Sequence, residues 1–368
     1  MQRKLALFCS GLFISLHSAA APNDLFLQAK NLAAGPSSSA LHVTLAADAV
    51  NDTIDVFDFR ENEGVTDTSA GDYQGFHLAA QYDFSPAWSI EGAYWRREID
   101  YSDDRNKIHS ALLGARFSPA FNLSQDNAVS FRGSFWLNQA DTLNKTSPTQ
   151  VNARTFNQLS VDSPEDWQVQ LDAIFSRRLN PMNQLNAFAS IGYSKVEVSG
   201  LDIQALYQGC LMHIAVNSSN QYTGNLARPC DVGGIILNDM QVQGNASDYG
   251  LDIQQDLNYD SYFASIGGSW SWRYKKFESQ LAYQYQRLWR DRIDDRVSSF
   301  GNQAIKDNHT LGAKFSYDFS PHITGFLQGE LYQHNFVGQI PFLYNSITAD
   351  RLDKRYGLAS LGVQLHHF

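Results

Sequence analysis

The sequence predicts an all-β fold, a transmembrane antiparallel β-barrel of about 12 strands with short turns at one end and long loops at the other. Three observations predict it. Large apolar residues alternate with small or polar ones at period two along most of the chain, which gives each segment one dry face and one wet face. The alternating segments run to 12 or more residues, whereas strands of ordinary sheets are about five or six residues long. Short and long connections alternate from one end to the other. A soluble two-sheet sandwich is the competing reading, and the strand lengths count against it. A sheet that crosses hydrocarbon must close on itself, because lipid offers backbone N–H and C=O groups no partners, and closure also removes the sheet edges.

Composition narrows the function classes. The chain has 368 residues, 28 Lys and Arg against 38 Asp and Glu, and a net charge of −10. Acidity without basic clusters excludes nucleic acid as the expected partner, since phosphate neutralisation needs grouped cations. At the N-terminus, Arg3 and Lys4 precede the apolar run Leu5 to Leu16, and Ser18-Ala19-Ala20-Ala21 supplies small residues for cleavage. Residues 1–21 therefore read as a secretory signal peptide, and its loss with Arg3 and Lys4 would take the charge from −10 to −12. No further run of 18 apolar residues offers a helical span. Cys9 falls in the signal, leaving Cys210 and Cys230. In an exported chain this pair favours a disulfide closing one small loop over a catalytic pair, with two free thiols as the alternative.

The elements follow in order. Residues 22–42, with Gly35-Pro36-Ser37-Ser38-Ser39, read as a flexible periplasmic lead-in, and the barrel is expected over 43–368. Its strands are expected at 43–58, 72–84, 87–99, 107–117, 127–139, 166–178, 184–198, 259–274, 277–291, 306–319, 322–335 and 354–368. The clearest is the eighth, where Tyr262, Ala264, Ile266, Gly268, Trp270, Trp272 and Tyr274 oppose Phe263, Ser265, Gly267, Ser269, Ser271 and Arg273. Tyr82-Asp83-Phe84-Ser85-Pro86 and Tyr317-Asp318-Phe319-Ser320-Pro321 are the same five residues, Phe117-Ser118-Pro119 is a shorter copy, and Leu179-Asn180-Pro181 holds an equivalent place. Pro after a strand ends ladder pairing and presets a turn, so these mark the short-turn end. The long polar connections fall at about 60–71, 100–107, 140–165, 200–258, 294–306 and 337–353. An even strand count returns both termini to one side.

The signal, the dyad strands, the short-long rhythm and the C-terminal Phe368 together resemble the bacterial outer-membrane β-barrel superfamily. The resemblance implies residence in the outer membrane amid lipid and lipopolysaccharide. It also implies delivery by the barrel-assembly machinery, which reads a terminal Phe closing an amphipathic strand. One feature departs from the pattern: Leu361, Val363 and Leu365 are out of phase with Phe368.

Selection in a pore occurs at the inward residues. The candidates are Glu91, Arg97, Arg116, Arg132, Asp172, Arg178, Arg273, Glu278, Arg290, Lys314 and Glu330, charges of both signs. They suit a hydrated channel with a transverse field, or pairs that bridge and fill a barrel of intermediate width. The leading expectation is passive diffusion of small polar solutes. The alternative is a structural or surface-interaction barrel whose long external loops bind a partner. A lipid hydrolase trails both: His109 and His309 adjoin Ser110 and Thr310 near outer strand ends, but on strands far apart, and no Gly-x-Ser-x-Gly elbow accompanies them. Arg96 and Arg287, each ten residues past a short turn on the lipid-facing phase, are candidates for lipopolysaccharide phosphates. No catalytic residue, metal site or cofactor site is expected.

Overall fold

The structure, a computed structural model, describes residues 24–30, 40–50, 72–101, 104–121, 123–145, 149–151, 154–299, 303–334, 337–346, 348–353 and 355–366. The signal segment 1–21, the loop at 60–71 and the terminal His367-Phe368 lie outside the described residues. Twelve strands close into one barrel: β1 (Ala40–Val50), β2 (Asp72–Asp83), β3 (Trp88–Tyr101), β4 (Asp104–Phe117), β5 (Asn127–Ala140), β9 (Glu165–Asn180), β10 (Asn183–Glu197), β17 (Tyr259–Tyr274), β18 (Phe277–Arg290), β19 (Asp307–Ser320), β20 (Ile323–Tyr332) and β21 (Tyr356–His366). The intervening numbers belong to external strands. Every neighbouring pair in the barrel is antiparallel, and the ring closes where β1 meets β21, from His42 opposite His366 to Ala49 opposite Ala359.

Count and order match the expectation from period two, and the differences lie at strand ends. β1 begins at Ala40 rather than 43. β3 and β4 run on until Tyr101 faces Asp104, so 100–107 is mostly strand rather than a long loop. Arg105 bridges Glu98 at 3.0 Å and Asp100 at 3.2 Å, and these cross-strand charge pairs carry the hairpin on beyond the apolar stretch.

The wall is inverted relative to a soluble protein. Along β5, Ser130, Arg132, Ser134, Trp136 and Asn138 are buried inside, while Val129, Phe131, Phe135 and Leu137 point outward. Leu113, Leu171, Ile191, Ile266 and Leu361 are each more than 60% exposed on the outer face. Such a belt is stable only in lipid, where it costs no ordering of water. Aromatic side chains collar it near the short turns: Phe84, Trp88, Trp270, Tyr274, Phe315, Tyr317 and Phe319 are exposed, and Trp88 packs on Phe117 with ring centroids 4.7 Å apart. A second collar runs from Phe135 through Trp167 and Tyr193 to Tyr262 at 6.4, 5.3 and 5.2 Å. Two aromatic collars around an apolar belt are the surface of a β-barrel that spans a membrane.

The long connections β5–β9 and β10–β17 fold as well. β6 (Thr142–Lys145), β7 (Thr149–Val151), β8 (Arg154–Asp162), β11 (Gly200–Tyr207), β12 (Cys210–Asn217), β13 (Gln221–Leu226) and β16 (Gln241–Asn245) form a seven-stranded sheet outside the barrel. β14 (Cys230–Val232) and β15 (Ile235–Leu237) form a separate hairpin. The two-residue turns at Gln208-Gly209 and Gly233-Gly234 have positive φ at both positions, as a hairpin that follows strand twist requires. Cys210 and Cys230 are disulfide-bonded, with Cα atoms 5.6 Å apart, and tie β12 to β14. One face of the sheet buries Leu159, Val161, Leu201, Ile203 and Val216 in a core continuous with Ile99 and Ile108 of the barrel. The 200–258 segment is therefore a folded module seated on the mouth.

Candidate functional site

The interior of the barrel is the candidate site, and it is filled from both ends. At the short-turn end the chain's own segment 24–30 lies inside the lumen, where a flexible lead-in was expected. Leu25 and Phe26 pack against Ala282, and a Cβ on Gly312 would stand 2.7 Å from Leu25 and 3.0 Å from Phe26. Leu27 and Ala29 pack with Ala128, Ile174 and Phe188. Polar contacts hold the backbone between them. The Ala29 and Lys30 amides donate to Ser176 Oγ (2.8 Å) and Ser130 Oγ (3.0 Å), and Arg116 donates to the Gln28 carbonyl at 3.0 Å. Lys30 Nζ reaches Asp83 at 3.1 Å and the Ser85 carbonyl at 3.0 Å. Small wall residues make the space and inward apolar ones supply the contact, so burial favours the segment's place in the lumen.

The middle of the lumen is a polar network against one wall. Arg132 is fully buried and bridges Glu91 at 2.5 Å and Asp172 at 2.9 Å, with Arg116 3.9 Å from the other oxygen of Glu91. Arg97 donates to Ser110, Ser110 to Asn138, and Asn138 to Asp166. Trp95 and Trp136 stack inside with centroids 5.0 Å apart, and His77 lies over Trp95 while holding Asp48 at 2.9 Å. Across the lumen Lys314 sits 4.5 Å from the Phe326 ring centroid.

At the outer end the β20–β21 connection turns down into the mouth. Val337, Ile340, Phe342, Leu343 and Tyr344 are buried there, in a stretch expected to be a polar external loop. The Gln339 carbonyl accepts from Asn138 and Gln168, both at 3.2 Å, and the Phe342 amide donates to Asp166 at 3.1 Å. Tyr259 donates to the Pro341 carbonyl at 2.6 Å. The Tyr344 ring lies 3.9 Å from the Arg290 guanidinium, and burial pushes its phenol up to about 12.

All eleven charged residues expected to face inward occupy the inward phase of their strands. The fold brings Glu91, Arg116, Arg132 and Asp172 together, with Arg97 nearby on the same side. Arg273 and Glu278 pair across one short hairpin at 3.0 Å, and Glu330 accepts from Gln328 and Tyr332. Arg178 is half-buried at the short-turn end. Arg290 holds the cap instead, bonded to Asp294 and to the Ile305 carbonyl. Sequence reasoning missed the two inserted segments. Their signals are the apolar runs Leu25-Phe26-Leu27 and Ile340-Pro341-Phe342-Leu343-Tyr344, and Ile174, Phe188, Phe263 and Phe326 on an otherwise polar phase.

On the outer rim, His109 Nδ1 lies 2.6 Å from the Tyr94 hydroxyl and His309 Nδ1 lies 2.7 Å from that of Tyr283. Ser110 and Thr310 point to the lumen, on the opposite side of the wall from their histidine neighbours. Arg96 is exposed on the outer face with no ion pair among the described residues, whereas Arg287 pairs with Asp307.

No family model and no curated protein sequence matches the chain. Solved structures with similar barrels include the translocator domain of the autotransporter NalP from Neisseria meningitidis, 8% identical with TM-score 0.45 over 90% of this chain and 88% of that one. The CymD monoaromatic hydrocarbon channel is 10% identical, with TM-score 0.37 over 92% and 91%. The KdgM porin is 6% identical, with TM-score 0.34 over 88% and 98%.

Proposed function

We propose that this barrel is closed by its own chain and works from its external face, as a surface-interaction barrel presenting the disulfide-linked β-module to a partner. The observation that carries this reading is the burial of the inward residues: Arg132, Trp136, Asn138 and Ser130 are at most 1% exposed between two inserted segments. A standing diffusion pathway keeps water against its wall, and these side chains meet none. The external sheet adds a preformed surface. Ile235 and Ile236 project from the β14–β15 hairpin at 66% exposure each, on a module held by a covalent tie.

The test is single-channel recording of the refolded protein in a planar bilayer, with folding checked by heat-modifiable gel mobility. A silent barrel is the expected result, and steady conductance of the wild type would defeat the closed reading. Binding is then tested by comparing retention of the wild type and an Ile235→Ser, Ile236→Ser variant on intact neighbouring cells. Loss of retention with an unchanged fold is expected.

A second reading, gated diffusion, has its own observation. Arg116 Nε, Arg132 Nη2, Ser134 Oγ and Trp136 Nε1 are buried without hydrogen-bond partners among the described residues. Water entering an opened lumen would satisfy them, and each unpaired group costs the sealed state about 1–3 kcal/mol. Intermittent openings of the otherwise silent wild type under applied voltage would favour this reading.

A further inference from the structure

A cleft of about 500 Å3 opens on the outer rim, between the outer ends of β18 and β19, the segment 303–306 and the side chains of Gln333, His334 and Asp353. Its volume lies within the roughly 300–1,000 Å3 of small-molecule sites. We propose that it binds an uncharged, hydroxyl-rich sugar unit.

The chemistry of the walls selects that class. Asp307 and Asp353 offer carboxylate acceptors, Lys306, Gln303 and Gln333 offer donors, and Tyr285 offers an aromatic ring. Donors and acceptors in near balance around a ring suit hydroxyl groups, each of which both donates and accepts. A phosphate would meet two carboxylates, and an apolar ligand would strip water from the polar walls without replacing its hydrogen bonds.

The walls are also set before any ligand arrives. Asp307 accepts from Arg287 and from the Tyr285 hydroxyl. His309 is held by Tyr283 at 2.7 Å, and its carbonyl accepts the Gln333 amide at 2.9 Å. The His334 amide donates to Asn308 at 3.1 Å, and His334 Nδ1 stands 3.0 Å from Asp353. Held side chains lose little freedom on binding, which favours recognition by hydrogen bonds. The cleft sits beside lipid-facing Tyr283 and Leu311, at the outer interface. The sugar could come from the glycan headgroup of a neighbouring outer-leaflet lipid or from a free saccharide.

The test is saturation-transfer NMR on the folded full-length barrel in phospholipid nanodiscs free of lipopolysaccharide. The probes are the methyl α-glycosides of glucose, galactose and mannose. Transfer to at least one is expected, at least tenfold weaker in Asp353→Asn and in Gln333→Ala, and unchanged in His109→Ala on a distant part of the rim. No transfer to any of the three overturns the proposal. So does equal binding by both cleft variants, or displacement of the sugar by tenfold less inorganic phosphate. A second arm repeats the measurement with rough lipopolysaccharide in the nanodisc. Blocked transfer assigns the site to the lipid glycan, and unchanged transfer assigns it to free saccharide.

Discussion

Arg132 lies between Glu91 and Asp172 with no exposed side-chain surface, so its charge and theirs stand or fall together. Removing only the cation in Arg132→Ala leaves two buried carboxylates uncompensated, and a loss of about 3–5 kcal/mol is expected. A urea midpoint series on the refolded barrel measures it. Arg132→Met combined with Glu91→Gln and Asp172→Asn should recover most of that loss, and no recovery would show that volume rather than charge sets the cost. His334 gives a pH dependence. Burial holds its imidazole below the ordinary histidine value, with Asp353 opposing that effect. A base depressed in the folded state contributes stability above its unfolded value, lost as pH falls toward its folded value. Hydrogen-exchange protection over 333–353 is thus expected to weaken from pH 7 to pH 5, and His334→Gln should flatten that dependence.

Elements carry the closure. The 24–30 segment rests on a pocket whose floor is Gly312, where any larger side chain would meet Leu25 and Phe26. Gly312→Leu should expel the segment while β19 keeps its ladder, read as protease cleavage within 24–30 that the wild type resists. A segment still protected would mean that the Ser130, Ser176 and Arg116 contacts suffice to hold it. The external module depends on a different tie. Cys210→Ser with Cys230→Ser should cost the module about 2–4 kcal/mol, since the bridge spans a sequence separation of 20. Heat-modifiable mobility of the barrel should stay unchanged, because its strands close through other contacts. A single joint unfolding transition in wild type and variant alike would show module and barrel to be one cooperative unit.

At the scale of the whole molecule, the proposed closure expects the two inserted segments to act in series. Deleting 24–30 alone should leave the barrel electrically silent, because the 337–346 insertion still fills the mouth. Shortening both should produce conductance whose ion selectivity shifts in Lys314→Ala, a charge on the wall opposite the arginine network. Conductance after either single deletion would mean that one seal alone closes the lumen.

Much of this was legible in the sequence. Period two placed 11 of the 12 barrel strands within three residues at each end, the first being described only over Ala40–Val50 where 43–58 was expected, and Pro after Ser85 and Ser320 marked the short-turn end. The inward phase of every charged candidate could also be read, because a strand's two faces are fixed by its own backbone geometry. That Arg132 meets both Glu91 and Asp172, from β3 and β9 on either side, needed ring closure and register, which set contacts across 40 and 41 residues. Strand phase says which face a side chain takes and nothing about what fills the space before it. The occupancy of the lumen was decided by Leu25 and Phe26 packing against Ala282, Leu27 against Phe188, and Phe342 and Tyr344 in the cluster that holds Tyr259. Those contacts form only once the barrel exists to receive them, so the sequence by itself determined a membrane-spanning barrel and the tertiary structure alone decided that segments 24–30 and 337–346 lie inside it.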